Sequence, residues 1–129
     1  MNPHLAFLLS SVHDRSDLHP PHLADLRKSG LTDSTIRAQK IRTVMPPATF
    51  DALLGFRVPT AIISMYVLPF FDADGALTDH VRVKVFPSLT TRKGTLKYLQ
   101  PRRSGTRIYF PLMTLDGMMR STDPLWVVE

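Results

Sequence analysis

The chain has 129 residues, a formal net charge of +5, a hydrophobic fraction of 43% and no cysteine. This length is typical of one globular domain, and the lack of thiols excludes disulfides and every thiolate zinc site. No apolar run reaches the roughly 18–20 residues that span a bilayer, and the N-terminus lacks the basic segment of a secretory signal. We therefore expect a cytoplasmic protein without a membrane partner.

The first part of the chain carries signals for short helices. Residues 1–19 are expected to be a weakly ordered lead-in to one domain that covers residues 20–129. Pro20 and Pro21 favour a first helix that Gly30 ends, and Thr32 is a good N-cap for a second helix over residues 33–40. A third helix is predicted over residues 48–54. Residues 20–58 are thus the helical part of the domain.

The β-rich part is predicted over residues 59–129. Residues 62–68 are β-formers, residues 72–75 form a turn, and residues 80–86 alternate between valines and larger, mostly basic side chains, which together predict a β-hairpin. Shorter strands are expected at 96–99, 106–110 and 125–128, with a turn or helix at 115–119. Helices first and strands later indicate an α+β fold, in which N-terminal short helices pack on a small, mainly antiparallel sheet.

No residue pattern predicts a catalytic, metal or cofactor site. Asp72 and Asp74 flank a turn glycine, where aspartate is favoured because it accepts hydrogen bonds from backbone amides. Four of the five histidines lie in the first 22 residues, and we interpret them, including His19 and His22, as solvated side chains. The chain also lacks a Ser-His-Asp order, a glycine-rich phosphate loop and an HExxH helix.

The charge is concentrated in one half of the sequence. Residues 1–79 hold 7 Lys and Arg against 8 Asp and Glu, whereas residues 80–115 hold 8 basic residues and no acidic one. Solvated faces usually mix both signs, so an acid-free stretch favours contact with a polyanion such as nucleic acid. The predicted phosphate-contacting residues are Arg82, Lys84, Arg92, Lys93, Lys97, Arg102, Arg103 and Arg107.

Aromatic residues are interleaved with these cations. Most of them are expected to fill the core, but Tyr98 and Tyr109 are candidates for base stacking, as on sheets that bind single strands. The sequence leaves open whether the nucleic acid is DNA or RNA, and whether it is single- or double-stranded. It also leaves the oligomeric state open.

Five ordered blocks of the sequence resemble a known family. They are residues 22–42 (HLADLRKSGLTDSTIRAQKIR), 53–56 (LLGF), 68–87 (LPFFDADGALTDHVRVKVFP), 97–111 (KYLQPRRSGTRIYFP) and 123–129 (DPLWVVE). Together they resemble the uncharacterised domain that precedes a Toprim module in primase/helicase-like proteins of phages, plasmids and integrative elements.

The resemblance implies a setting in mobile-element DNA metabolism. In that family the residue that matches Glu129 is the first acidic residue of the Toprim site, which also needs a downstream Asp-x-Asp pair to hold Mg²⁺. No such pair follows here, so we expect no catalysis from this chain. Two functional hypotheses result: a non-catalytic nucleic-acid-binding accessory domain, or a phage or mobile-element protein that inhibits a host defence complex in the manner of an anti-CRISPR protein.

Overall fold

The computed structural model describes residues 18–44, 49–102, 105, 107–109 and 122. The elements in these residues are helices α1 (Pro20–Lys28), α2 (Asp33–Ala38) and α3 (Phe50–Leu54) and strands β1 (Arg42–Thr43), β2 (Ser64–Phe71), β3 (Leu77–Thr91) and β4 (Gly94–Leu99). The four strands form one antiparallel sheet in the order β1-β2-β3-β4. The predicted α+β class is therefore confirmed.

The helix ends follow the local chemistry of the sequence. Two prolines occupy the first positions of α1, and the Thr32 hydroxyl caps α2 by accepting the Thr35 N–H at 3.2 Å. Helix α2 ends at Ala38, two residues earlier than predicted, because Lys40 adopts a left-handed conformation with φ of 58° that cannot continue a helix. Helix α3 ends where Gly55 takes φ of 74°.

The turn between β2 and β3 depends on the side chain of its first aspartate. The Asp72 carboxylate accepts the N–H of Asp74 at 2.9 Å and the N–H of Ala76 at 3.0 Å. Among the described residues no group of three or more acidic or histidine side chains could hold a metal ion. The interpretation of Asp72 as a turn residue is confirmed.

Helices cover both faces of the sheet. On one face Val81, Val83 and Val85 pack with α3 and with buried residues of β2, in a cluster that also includes Val44, Phe50, Leu53, Leu54, Val58, Ile62, Met65 and Val67. On the other face Leu26 and Ile36, from α1 and α2, pack on Tyr66. The clean alternation of valines in β3 thus predicted one buried face, but the opposite face is also partly covered. No helix in the described ranges is long and apolar enough to cross a membrane.

Several predicted strands differ from the structure. Strand β2 covers Ser64–Phe71 and not residues 62–68, and β4 begins at Gly94 and not at residue 96. Residues 107–109, the described part of the strand predicted over 106–110, have no regular secondary structure. Strand β3 is also longer than the predicted residues 80–86, since it continues to Thr91. The predictions for residues 1–17, 115–119 and 125–128 fall outside the described residues.

Candidate nucleic-acid interface

Strands β3 and β4 form a hairpin that extends past the rest of the sheet. The last pair between β2 and β3 joins Ser64 to Phe86, whereas β3 continues for five residues beyond Phe86 and pairs only with β4. We call residues 87–96 the arm. All of its side chains are exposed except Leu89, which packs partly against the core. Strand β4 shows no alternation of buried and exposed side chains along residues 94–98, because neither of its faces is covered there by described residues.

A tight turn presents two cations at the tip of the arm. Thr91 pairs with Gly94, so Arg92 and Lys93 are the two residues of the loop. The Thr91 hydroxyl accepts the Lys93 N–H at 3.2 Å and donates to the Gly94 carbonyl at 2.9 Å. Gly94 has φ of 122°, a conformation that L-residues with a side chain rarely adopt. The turn therefore fixes the backbone at the two cations, whose side chains are exposed.

Arg82 lies at the base of the hairpin, beside an aromatic ring. Its guanidinium carbon is 5.2 Å from the centre of the Tyr98 ring, within the range of a cation–π contact. Both side chains are exposed, Tyr98 to 38%. The contact restricts the Arg82 side chain to the outer surface of the sheet, where its charge stays accessible.

Lys84 lies on the same strand face as Arg82 but in a different environment. Helix α1 covers it, and its Nζ donates to both carboxylate oxygens of Asp25, at 2.8 and 2.7 Å. The two side chains are only 16% and 22% exposed. The structure therefore places Lys84 in an internal ion pair and not on the outer surface with the other predicted cations.

The surroundings of Asp25 favour its charged form. Burial alone would raise its pKa, but hydrogen bonds from Lys84 and from the Tyr66 hydroxyl, which donates at 3.0 Å, outweigh burial and lower the pKa of Asp25 below its ordinary value. The pKa of Tyr66 is raised, first by burial and then by its hydrogen bond to this carboxylate. Asp25, Tyr66 and Lys84 therefore form one polar network between α1 and the sheet.

The remaining predicted cations are spread over the β-rich part. Lys97 is exposed on β4, and because strand side chains alternate, it points to the face opposite Tyr98. Arg102 is exposed and is anchored by its backbone, whose N–H donates to the Leu54 carbonyl at 3.0 Å. Arg107 lies near His80, and Arg103 is outside the described residues. The structure thus gathers Arg92, Lys93 and Lys97 on one hairpin, with Arg82 at its base.

The two candidate stacking residues are almost equally exposed, Tyr98 to 38% and Tyr109 to 37%, but they differ in their contacts. The Tyr109 ring packs edge-on against Phe70, with ring centres 5.1 Å apart, and its hydroxyl donates to Gln39 at 3.2 Å. Burial raises the pKa of Tyr109. These contacts tie Tyr109 to the body of the domain, whereas Tyr98 lies on the exposed β4 strand.

His22 was expected to be solvated, and this interpretation is wrong. Its ring is fully buried between α1 and the sheet, with Nδ1 2.8 Å from the Thr43 hydroxyl and Nε2 3.0 Å from the Ser64 hydroxyl. Burial, with a smaller contribution from His19, lowers the pKa of His22 to about 4, so the ring is neutral at pH 7. One sequence signal was available, since His22 and Leu26 have the i, i+4 spacing of a single helix face.

His80 is a second buried histidine, at the edge of the basic hairpin. Its ring packs against Phe70 at 4.5 Å, and its Nδ1 has no hydrogen-bond partner among the described residues. Burial, and then the nearby charge of Arg107, lower the pKa of His80. His80 therefore adds no positive charge to the hairpin at pH 7.

The chain was also compared with known proteins. No family model, no curated protein and no solved structure matches it. The class that the described residues define is therefore structural: a small α+β domain whose antiparallel sheet extends into a basic two-stranded arm.

Proposed function

We propose that this chain is a non-catalytic, cytoplasmic nucleic-acid-binding domain that contacts phosphates through the β3–β4 hairpin. The observation that carries this proposal is the set of exposed cations along the hairpin, Arg82, Arg92, Lys93 and Lys97, together with exposed Arg102. No acidic residue occurs from His80 to Leu115, so nothing within the stretch neutralises them. Lys84, which Asp25 neutralises, is not part of this surface.

The affinity of such a basic surface for nucleic acid depends on the salt concentration. Each phosphate that a cation neutralises releases condensed counterions from the nucleic acid, which makes the affinity depend on salt. With about five phosphate contacts, raising the salt from about 50 to about 200 mM should weaken binding to B-DNA by roughly 500-fold. If the cations of the hairpin contacted only solvent, the affinity for DNA would show no such salt dependence. The mobile-element setting implied by the sequence resemblance agrees with a role of this kind.

Fluorescence anisotropy with labelled single- and double-stranded DNA at these two salt concentrations tests the proposal. The double variant R82A/K97A removes two cations of the hairpin, and K28A/R37A removes two exposed cations of the helices as a control with the same change in charge. We expect R82A/K97A to bind at least tenfold more weakly than K28A/R37A, and with a smaller salt dependence.

Two results would contradict the proposal. One is wild-type binding no tighter than that of a neutral control protein, and the other is binding without salt dependence. Either result would leave the inhibitor hypothesis, which a pull-down from nuclease-treated host lysate would then examine.

A further inference from the structure

The arm has the dimensions of an element that enters a nucleic-acid groove. Its β3 strand extends five residues beyond the core, which at about 3.3 Å per residue is roughly 16 Å. The major groove of B-DNA is about 12 Å wide and about 8.5 Å deep, and it admits a two-stranded β-ribbon. The arm is therefore longer than the groove is deep, so that its tip can reach the base edges.

The chemistry of the arm suits such a groove. Four of its exposed side chains carry hydroxyl groups, and Thr90 and Thr95 form a cross-strand pair directly behind the basic tip. Threonine hydroxyls can bond base edges and phosphates, and the methyl group can contact thymine. The arm carries no acidic residue, and Leu96 is its one large exposed hydrophobic side chain.

The two cations nearest to the arm differ in face and in distance from its tip. Tyr98 pairs with Lys84 on the face that also holds Arg82, whereas Lys97 points to the other face of β4. The phosphate backbones of a groove lie near the base of an inserted ribbon, where Lys97 is the first residue after the arm. Arg82 pairs with Leu68 inside the sheet and stays outside the groove. A flat single-strand platform would need cations and rings on one face only.

Other occupants fit the arm less well. A second copy of this chain could pair with the edge of β4, but two acid-free basic arms would repel each other. Double-stranded RNA has an A-form major groove that is deep and too narrow for side chains to read. The Tyr98 ring, which a single-stranded base would stack on, already has the Arg82 guanidinium at 5.2 Å and the Lys84 ammonium at 5.8 Å.

From these observations, and resting on the proposed function, we infer that the chain binds double-stranded B-form DNA by inserting the β3–β4 arm into the major groove. Arg92 and Lys93 lead the arm into the groove, and Lys97, at its base, contacts a flanking phosphate backbone. The ligand class is therefore duplex DNA, in preference to single strands or duplex RNA.

The test compares four labelled ligands of one sequence, each with the full chain. They are a B-DNA duplex, the single strand, the RNA duplex, and a DNA duplex whose cytosines carry glucosylated hydroxymethyl groups that fill the major groove. We expect the plain duplex to bind at least tenfold more tightly than each of the other three. Equal affinity for the plain and the glucosylated duplex would overturn the inference.

The tip variant R92A/K93A provides a second test. If each tip cation makes one contact to a base edge, the loss of both should weaken duplex binding by at least about 30-fold. The control K28A/R37A should bind like the wild type, and thermal unfolding should show that both variants are folded. Equal affinity of R92A/K93A and K28A/R37A for the duplex would overturn the inference.

Failure of the inference and failure of the proposed function give different results. Salt-dependent binding that is as tight for single strands as for the duplex contradicts arm insertion and leaves nucleic-acid binding intact. Binding of no ligand above the neutral control contradicts both.

Discussion

Removal of the Lys84 ammonium should destabilise the domain even though this residue belongs to the basic stretch. The variant Lys84→Met keeps the apolar stem and leaves the Asp25 carboxylate, which is only 22% exposed, with the Tyr66 hydroxyl as its remaining side-chain donor. Two short charge-assisted hydrogen bonds, at 2.7 and 2.8 Å, are lost together. Such bonds contribute about 1.5–3 kcal/mol, so we expect the free energy of unfolding to fall by about 2 kcal/mol, a factor of roughly 30 in the folding equilibrium.

Urea unfolding at pH 7, followed by circular dichroism, measures this loss. A double-mutant cycle with Asp25→Asn isolates the pair itself, and we expect a coupling free energy of about 1–2 kcal/mol. The control is Arg27→Met, which breaks the exposed ion pair to Asp33, and its unfolding midpoint should match the wild type. The pairing of Asp25 with Lys84 would be contradicted if Lys84→Met had the same free energy of unfolding as the wild type, or if the coupling free energy were near zero.

Three further predictions concern the stability of the fold. The folded pKa of His22, about 4, lies below its unfolded value of 6.5, so only the unfolded state takes up a proton between these values. The free energy of unfolding should therefore fall by about 3 kcal/mol as the pH drops from 6.5 to 4, and urea titrations of His22→Gln should show a flatter profile. Asp25 has a pH dependence of the same sign, because its folded pKa is also lowered: its stabilising contribution is present above pH 3.8 and is lost as the pH falls through the folded pKa. An acid titration of Asp25→Asn should lack this loss. Leu54→Ala, at a fully buried position of α3, should cost about 3 kcal/mol in urea unfolding, and a loss below about 1 kcal/mol would contradict the packing of α3 on the sheet.

Local rules in the sequence were sufficient for the helix caps, the turn and the hairpin. Thr32, Gly55 and Asp72 act through backbone groups within a few residues, so their roles can be predicted without knowledge of the rest of the molecule. The alternation of valines in β3 likewise marks a buried face, because successive strand residues point in opposite directions. The two-residue strand β1 has no periodicity to detect, and it was missed.

The length of the arm could not be predicted from alternation. Beyond Phe86, described residues cover β3 only at Leu89. Residues 87–91 therefore show no alternation of apolar and polar positions. Periodicity reports burial and not hydrogen bonding, and an exposed hairpin therefore leaves a weak signal. Only the cross-strand pairs Leu89–Leu96, Thr90–Thr95 and Thr91–Gly94 show that the strands continue.

The sequence by itself determined the fold class and the existence of an acid-free basic region, since both depend on composition and on short-range patterns. Only the tertiary structure decided how individual residues within these patterns are used. Arg82 and Lys84 are equivalent in the alternation, yet Arg82 is exposed, whereas Lys84 is covered by α1 and pairs with Asp25, 59 residues away. His22 is buried for a related reason, because α1 carries it onto Thr43 and Ser64. A local pattern shows which residues share a face, but contacts distant in sequence determine what covers that face.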